Sequence, residues 1–262
     1  GMESLIKTQI ALDRANGLDV ILMEEPENHL SFSNLKKMLQ QISDQQENSQ
    51  IIVATHSNMI ASRLNLNNVI WITEDEVKSL RGVKSDVAEF FVRADDNAFL
   101  QLLLSKKVIL VEGATEFLLL PMLYNQITGH TVEEDGISVI SCNGISYNRY
   151  LEIAKATDKK IAVVTDNDEK GDRIAEADSF NQTNNLQHIF MGATVDEWTW
   201  EACIYKENKD TLDEMIDVQP KAAYKFHDKD YGAVLGKMLN NKVDVAYTML
   251  TSGKKFAVPQ YI

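Results

Sequence analysis

Residues 108–116 read VILVEGATE and residues 161–168 read IAVVTDND, and these two stretches predict the fold of the chain around them. Each is a short apolar run typical of a buried strand, and each ends in acidic residues. Segments with helical spacing separate the strands, which is typical of a parallel sheet with helices on its faces. In such a sheet the functional site lies beyond the carboxyl ends of the strands.

Four acidic side chains lie at these two strand ends. Glu112 stands at the tip of the first strand, and Glu116 is expected in the first turn of the next helix, where the helix dipole favours a carboxylate. Gly113 between them is expected to let the backbone turn tightly. Asp166 and Asp168 are two residues apart in a segment predicted to be extended, so their side chains should point to one side.

Four carboxylates at two strand ends form an oxygen-rich site that prefers Mg²⁺ or Mn²⁺ to zinc. Each acid alone is better explained as a solvated loop residue or a helix cap, but the two clusters together favour a metal site. The spacing resembles the Toprim fold, shared by topoisomerases, primases and a class of nucleases, over roughly residues 106–203. That resemblance implies metal-dependent chemistry on phosphodiesters.

The first part of the chain carries a second pattern. Residues 20–30, VILMEEPENHL, resemble the Walker B motif and D-loop of ABC-type ATPases, and residues 51–57, IIVATHS, resemble the switch strand. The resemblance assigns Glu24 to the nucleotide-bound Mg²⁺, Glu25 to activation of water, and His56 to sensing of the γ-phosphate. Strands are predicted at 19–23, 51–54 and 69–73, and helices at 5–15 and 32–42.

The phosphate-binding P-loop, G-x-x-x-x-G-K-[ST], does not occur in this sequence. We therefore expect the chain to be the C-terminal part of a longer protein whose P-loop lies upstream, and we expect no ATPase activity from the chain alone. An ABC-type ATPase followed by a Toprim domain resembles the OLD (overcoming lysogenization defect) family of ATP-dependent endonucleases and the related Gabija nuclease.

This family resemblance implies two further site residues. Glu201, in Thr199-Trp200-Glu201, matches an additional acid after the last Toprim strand, and Lys254 or Lys255, before Phe256-Ala257, matches a lysine that steadies the transition state. Without the resemblance both would be taken as surface residues. The expected mechanism uses two metal ions. One ion would be held by Glu112, Asp166 and Asp168, and the other by Glu116 and Glu201.

The predicted fold class is α/β, with part of an ATPase domain followed by a Toprim domain and a helical C-terminal extension. The predicted boundaries are 1–76 for the ATPase part, 77–105 for a linker, 106–205 for the Toprim domain and 206–262 for the extension. Within the Toprim domain, strands are predicted at 107–111, 136–142, 160–165 and 186–191, and helices at 115–126, 147–156 and 173–180.

Composition excludes several classes of protein. The net charge of −13 argues against a basic protein that coats nucleic acid, although bound cations would reverse the field at a carboxylate site. Two cysteines without metal-ligand spacing favour buried free thiols in the cytoplasm. No run is apolar for long enough to cross a bilayer, and no signal peptide is recognised.

The expected substrate is DNA, and the expected assembly is a homodimer or higher oligomer. Two alternatives stay open. The first is a non-catalytic module that binds DNA or docks a partner. The second is a topoisomerase or primase, although the tyrosine-bearing and zinc-binding regions of those enzymes are not visible in the sequence.

Overall fold

The computed structural model describes residues 6, 10, 20–45, 50–57, 60–61, 68–72, 76–94, 98–144, 146–218, 224–226 and 229–262. The chain divides into two compact units, Gly1–Leu100 and Gln101–Ile262. The helix predicted at 5–15 lies largely outside the described residues. None of the helices that are described is long and apolar enough to cross a membrane.

The first unit contains a parallel pair of strands, β1 (Val20–Glu24) and β2 (Gln50–Ala54), with helix α1 (Phe32–Gln45) between them in sequence. Because side chains alternate along a strand, one face of this pair carries Ile21 and Met23 and packs on the apolar side of α1. The opposite face is open, and Leu22 on it is 74% exposed. The predicted strands at 19–23 and 51–54 and the helix at 32–42 correspond to these elements.

The described residues of 76–104 include a strand and two helices where a linker is predicted at 77–105. Strand β3 (Ile70–Ile72) pairs antiparallel with β4 (Val77–Ser79), and helices α2 (Ser85–Ala94) and α3 (Ala98–Leu104) follow. Val87 and Phe91, one helical turn apart on α2, are both buried, which accounts for a helix in a stretch whose sequence is largely polar. This stretch is therefore not an irregular linker, and the exact domain boundaries stay a prediction.

The second unit is built on four parallel strands in the order β6-β5-β7-β8. They are β5 (Lys107–Val111), β6 (Ile137–Ser141), β7 (Lys160–Val164) and β8 (Gln187–Phe190), and they are connected by α4 (Ala114–Thr128), α5 (Tyr147–Ala156) and α6 (Gly171–Thr183). Val111 of β5 is in register with Val164 of β7. The two neighbouring strands therefore end at the same place, and the predicted α/β fold with a parallel sheet is confirmed.

The C-terminal region is mainly helical, as predicted, with α7 (Trp200–Met215), α8 (Ala233–Asn240) and α9 (Lys242–Thr251). A short antiparallel hairpin of β9 (Tyr224–Phe226) and β10 (Lys229–Tyr231) precedes α8. Trp200 and Ile204 of α7 share a buried core with Leu119 of α4 and Met249 of α9. This packing holds the start of α7 and the start of α9 close to the sheet end that carries the acidic residues.

Candidate metal centre

Glu112 joins the ends of the two central strands. It follows buried Val111, and its Oε2 accepts hydrogen bonds from Thr165 Oγ1 at 2.7 Å and from the backbone N–H of Asp166 at 3.1 Å. These two donors come from the residues directly after β7. The Glu112 side chain is thereby oriented across the sheet end, toward the segment that contains Asp166.

Glu116 lies in the first turn of α4 and is only 6% exposed. Burial, together with the negative charges of Glu201 and Glu112, raises the pKa of its carboxyl to about 7. Gly113 has an extended backbone with φ −140°, so the expected tight turn is not what requires glycine here. A Cβ at Gly113 would lie 3.3 Å from Glu116 Oε2, and glycine leaves that space to the carboxylate.

Asp166 is fixed by two donors at the start of α7. Its Oδ1 accepts the backbone N–H of Trp200 at 2.8 Å, and its Oδ2 accepts the Thr199 hydroxyl at 2.8 Å. Burial raises the pKa of Asp166 to about 7, and the charges of Glu201, Glu112 and Glu116 act in the same direction. The hydrogen bonds therefore fix the orientation of the Asp166 carboxyl group, while burial and the neighbouring negative charges disfavour its ionised form.

Glu201 completes the group, and it is 2% exposed. Its Oε2 accepts hydrogen bonds from Thr199 Oγ1 at 2.8 Å and from Lys242 Nζ at 2.9 Å. A hydroxyl has one proton, so Thr199 donates to either Asp166 or Glu201, and its second contact requires a protonated carboxyl. We call Glu112, Glu116, Asp166 and Glu201 the carboxylate cluster.

Lys242 is a site residue that the sequence did not reveal. It opens α9, 41 residues from Glu201, and no local pattern connects the two. Burial opposes its charged form, yet the carboxylates of Glu201, Asp166 and Glu116 raise the pKa of the Lys242 ammonium above its ordinary value. The carboxylate cluster therefore already contains one positive charge that the protein itself supplies.

Asp168 is placed differently from Asp166. Strand β7 ends at Val164 and Asp168 has φ 54°, so the alternation of an extended strand does not apply at this position. Its carboxylate is half exposed and pairs with the guanidinium of Arg173. Asn167 between the two acids is fully buried, and its Nδ2 donates to the carbonyls of residues 192, 194 and 197. A role for Asp168 as a metal ligand stays a prediction.

Lys254 Nζ lies 3.7 Å from the carboxylate Oε2 of Glu214, an exposed residue outside the carboxylate cluster. Lys255 is exposed. The Phe256-Ala257 pair that follows is anchored, because Ala257 N donates to Asn208 Oδ1 at 2.7 Å and Asn208 Nδ2 donates back to Ala257 O at 2.8 Å. The structure thus brings Lys242 to the cluster and places Lys254 at the surface beside Glu214.

The predicted nucleotide-site residues meet in the first unit. Glu24 ends β1, the backbone N–H of Glu25 donates to Ala54 O at 2.8 Å, and His56 Nε2 lies 3.5 Å from Glu25 Oε1. Asn28 Nδ2 also donates to Glu25 Oε2 at 2.7 Å. Glu25 has φ 41°, an uncommon conformation for a residue with a side chain, and such conformations cluster at functional sites.

The donor chemistry of the carboxylate cluster fits a hard divalent cation, since all its ligand atoms are carboxylate oxygens. Burial and the neighbouring carboxylates raise the pKa of Glu116 and of Asp166 to about 7, and a bound cation would offset both effects. The side chains are not gathered around one point, however. Within the described part of the chain, no group of three or more His, Cys, Asp or Glu residues is spaced to hold a metal ion.

Comparisons with known proteins match both parts of the chain. Residues 103–168 match the family described as overcoming lysogenization defect protein-like, TOPRIM domain, and residues 4–62 match an AAA domain described as putative AbiEii toxin, type IV TA system. The chain is 27% identical over 161 residues to the Old nuclease of Escherichia phage P2. That alignment covers 57% of this chain and 28% of the relative. The predicted resemblance to the OLD family is confirmed.

Proposed function

We propose that this chain, which joins an OLD-like Toprim domain to an AAA-type ATPase segment, is a nuclease that hydrolyses DNA phosphodiesters with Mg²⁺ or Mn²⁺. The observation that carries the proposal is the carboxylate cluster. Its members come from the end of β5, the end of β7 and the first turns of α4 and α7, and their charges act on one another. A similarity to a relative called a nuclease supports the same reaction class.

In this proposal Glu112, Glu116 and Asp166 hold a divalent cation. This differs from the arrangement predicted from the sequence, in which Glu112, Asp166 and Asp168 hold one ion and Glu116 and Glu201 hold a second. When bound, the ion supplies positive charge that activates a water and stabilises the oxygens of the phosphate. The hydrogen bonds from Thr165 to Glu112, and from Trp200 and Thr199 to Asp166, orient the carboxylates before any cation arrives. Preorganised ligands of this kind reduce the reorganisation that catalysis requires.

Arg173 provides a further cation at the same end of the sheet. Its guanidinium pairs with Asp168, and Nη2 lies 3.5 Å from Thr165 Oγ1, next to the donor that orients Glu112. The arginine side chain is 24% exposed, so it remains accessible from solvent. A guanidinium suits phosphate oxygens in shape and charge. We propose that Arg173 contacts the DNA backbone beside the carboxylate cluster.

The first unit is proposed to regulate the nuclease through ATP in the whole protein. Glu24, Glu25 and His56 resemble the residues that handle the γ-phosphate, and Glu25 and His56 are in contact. The proposal extends to a cytoplasmic homodimer that acts in phage defence or DNA processing. We expect this chain alone to release no phosphate from ATP, and substantial turnover in a phosphate-release assay would contradict the regulatory assignment.

A non-catalytic module that binds DNA or docks a partner is the second candidate. The observation that favours it is that two of the acidic residues already have basic partners, Glu201 with Lys242 and Asp168 with Arg173. Paired acids of this kind need no metal ion. In that case the carboxylate cluster would stabilise the fold, and the chain would bind nucleic acid without cleaving it.

Cleavage of supercoiled plasmid in Mg²⁺ or Mn²⁺ tests the proposed function. The parent is expected to produce nicked or linear DNA, whereas Asp166→Asn, which keeps the shape but not the charge of the side chain, should leave the plasmid intact. Glu176→Gln, which removes an exposed acid on α6, is the matched control and should cleave like the parent. Intact plasmid with the parent would favour the binding module, and equal cleavage by Asp166→Asn would overturn the assignment of the site.

A further inference from the structure

We propose that the ammonium group of Lys242 takes the place of a second divalent ion, so that the carboxylate cluster binds one divalent cation beside one lysine. This inference rests on the proposed metal-dependent function and replaces the two-ion arrangement that the sequence predicts. It is carried by the position of Lys242 among the acids, since the ammonium contacts the very residue, Glu201, that a second ion would need.

The contact joins a buried carboxylate to a lysine whose side chain is 41% exposed. Lys242 Nζ lies 2.9 Å from Glu201 Oε2, and the Glu201 side chain is 3% exposed. A buried carboxylate is unfavourable unless a charge partner and hydrogen bonds compensate it. Thr199 has a single proton to share between Asp166 and Glu201, so Lys242 is the partner that carries a full positive charge.

The surroundings of Lys242 keep its ammonium in this position. A small cavity beside the ion pair is lined by apolar side chains of α4, α8 and α9, among them Leu119, Met238, Val245 and Met249. Glu201 is the acidic residue in the lining of this cavity, and it provides the counter-charge for the ammonium. The effect of its charge extends beyond Glu201 to Asp166 and Glu116. The Lys242 ammonium therefore interacts electrostatically with three of the four acids of the carboxylate cluster.

A divalent ion on Glu201 would have to lie beside this ammonium or displace it. Two cations in contact with one buried carboxylate repel each other, because burial of Glu201 weakens the screening by water on that side. The neighbouring pair of Lys206 and Glu197 differs, because its carboxylate side chain is 20% exposed against 3% for Glu201. Lys206 is thus a suitable control for removing a paired lysine near the same helix.

The number of Mn²⁺ ions bound per chain tests the inference directly. Equilibrium titration, with free Mn²⁺ followed by electron paramagnetic resonance, is expected to give one ion for the parent and two for Lys242→Met, which keeps the length of the side chain without its charge. Lys242→Arg restores the charge and should bind one ion, as should the control Lys206→Met. Lys242→Gln provides a second neutral variant if the methionine variant does not fold.

The outcomes separate this inference from the proposed function. Two ions bound by the parent, or one ion bound by both neutral variants of Lys242, would overturn the inference and leave the metal-dependent function standing. Plasmid cleavage by a parent that binds one ion, together with a second ion in the neutral variants, would support both. No bound Mn²⁺ in the parent or in any variant would overturn the proposed function and this inference with it.

Discussion

Replacement of Glu116 by glutamine should stabilise the metal-free protein at pH 8. The pKa of Glu116 is raised from 4.5 to about 7 in the folded chain, so between those pH values the folded state holds a proton that the unfolded state has lost. The free energy of unfolding contributed by this group therefore falls as the pH rises through that window. At about 1.4 kcal/mol for each pKa unit, the loss reaches up to about 3 kcal/mol above pH 7.

Glutamine has nearly the same shape and no charge at any pH, so Glu116→Gln should avoid that loss. The assay is thermal unfolding of parent and variant in EDTA at pH 5 and at pH 8. We expect similar melting temperatures at pH 5, and a variant that melts several degrees higher at pH 8. The difference between the two proteins is the relevant quantity. Removal of the Glu116 charge also relieves Asp166, whose pKa that charge raises, and this adds to the advantage of the variant at pH 8.

Addition of Mg²⁺ at pH 8 should reverse this order, because a cation stabilises the ionised parent and finds one ligand fewer in the variant. Glu176→Gln, on the exposed side of α6, should melt like the parent under every condition. A Glu116→Gln variant that is less stable than the parent at pH 8 without metal would refute the reasoning. It would mean that the Glu116 carboxylate is well compensated in the folded chain, and that the carboxylate cluster does not lack positive charge.

Three further predictions concern the same region. Thr199→Val keeps the shape of the side chain but removes the hydroxyl that Asp166 Oδ2 and Glu201 Oε2 share as a donor. The free energy of unfolding measured in urea should fall by about 1–3 kcal/mol, and an unchanged midpoint would contradict these hydrogen bonds. Asn167→Ala removes the amide that serves three backbone carbonyls and should cost about 2–4 kcal/mol by the same measurement; a loss below about 1 kcal/mol would show that the amide is dispensable. Burial raises the pKa of the Cys203 thiol to about 11, so it should react with a disulfide reagent at pH 8 only after denaturation, and rapid labelling of the folded chain would contradict its burial.

The approach of Glu112 and Asp166 was predictable from sequence because it depends on simple rules. Two apolar runs followed by acids predict neighbouring parallel strands, and the structure pairs Val111 with Val164 immediately before the acidic residues. Glu201 came from the family resemblance alone, and the structure places it within the same cluster through the shared contact of Thr199. Glu112, Asp166 and Glu201 all lie in or directly beside a motif that can be recognised in the sequence.

Lys242 and Asp168 show where sequence reasoning stops. Lys242 reaches the cluster through the packing of α9 against α4, a tertiary contact that no periodicity near residue 242 encodes. Asp168 follows an asparagine that is drawn into the interior, and the backbone changes to φ 54° directly after it. The extended continuation assumed for residues 166–168 therefore ends one residue too early for the two aspartates to share a face.

The buried amide of Asn167 has a consequence for how this protein tolerates changes in chain length. This amide donates hydrogen bonds to the carbonyls of residues 192, 194 and 197, so the segment between β8 and α7 is held at three points along its length. The number of residues between these points is therefore fixed. Gly192 lies in this segment, and a side chain there would collide with the backbone of Glu197. A single inserted or deleted residue between 192 and 199 would rotate the start of α7 and carry Glu201 away from its partners. The length of this segment is therefore coupled to the geometry of the carboxylate cluster.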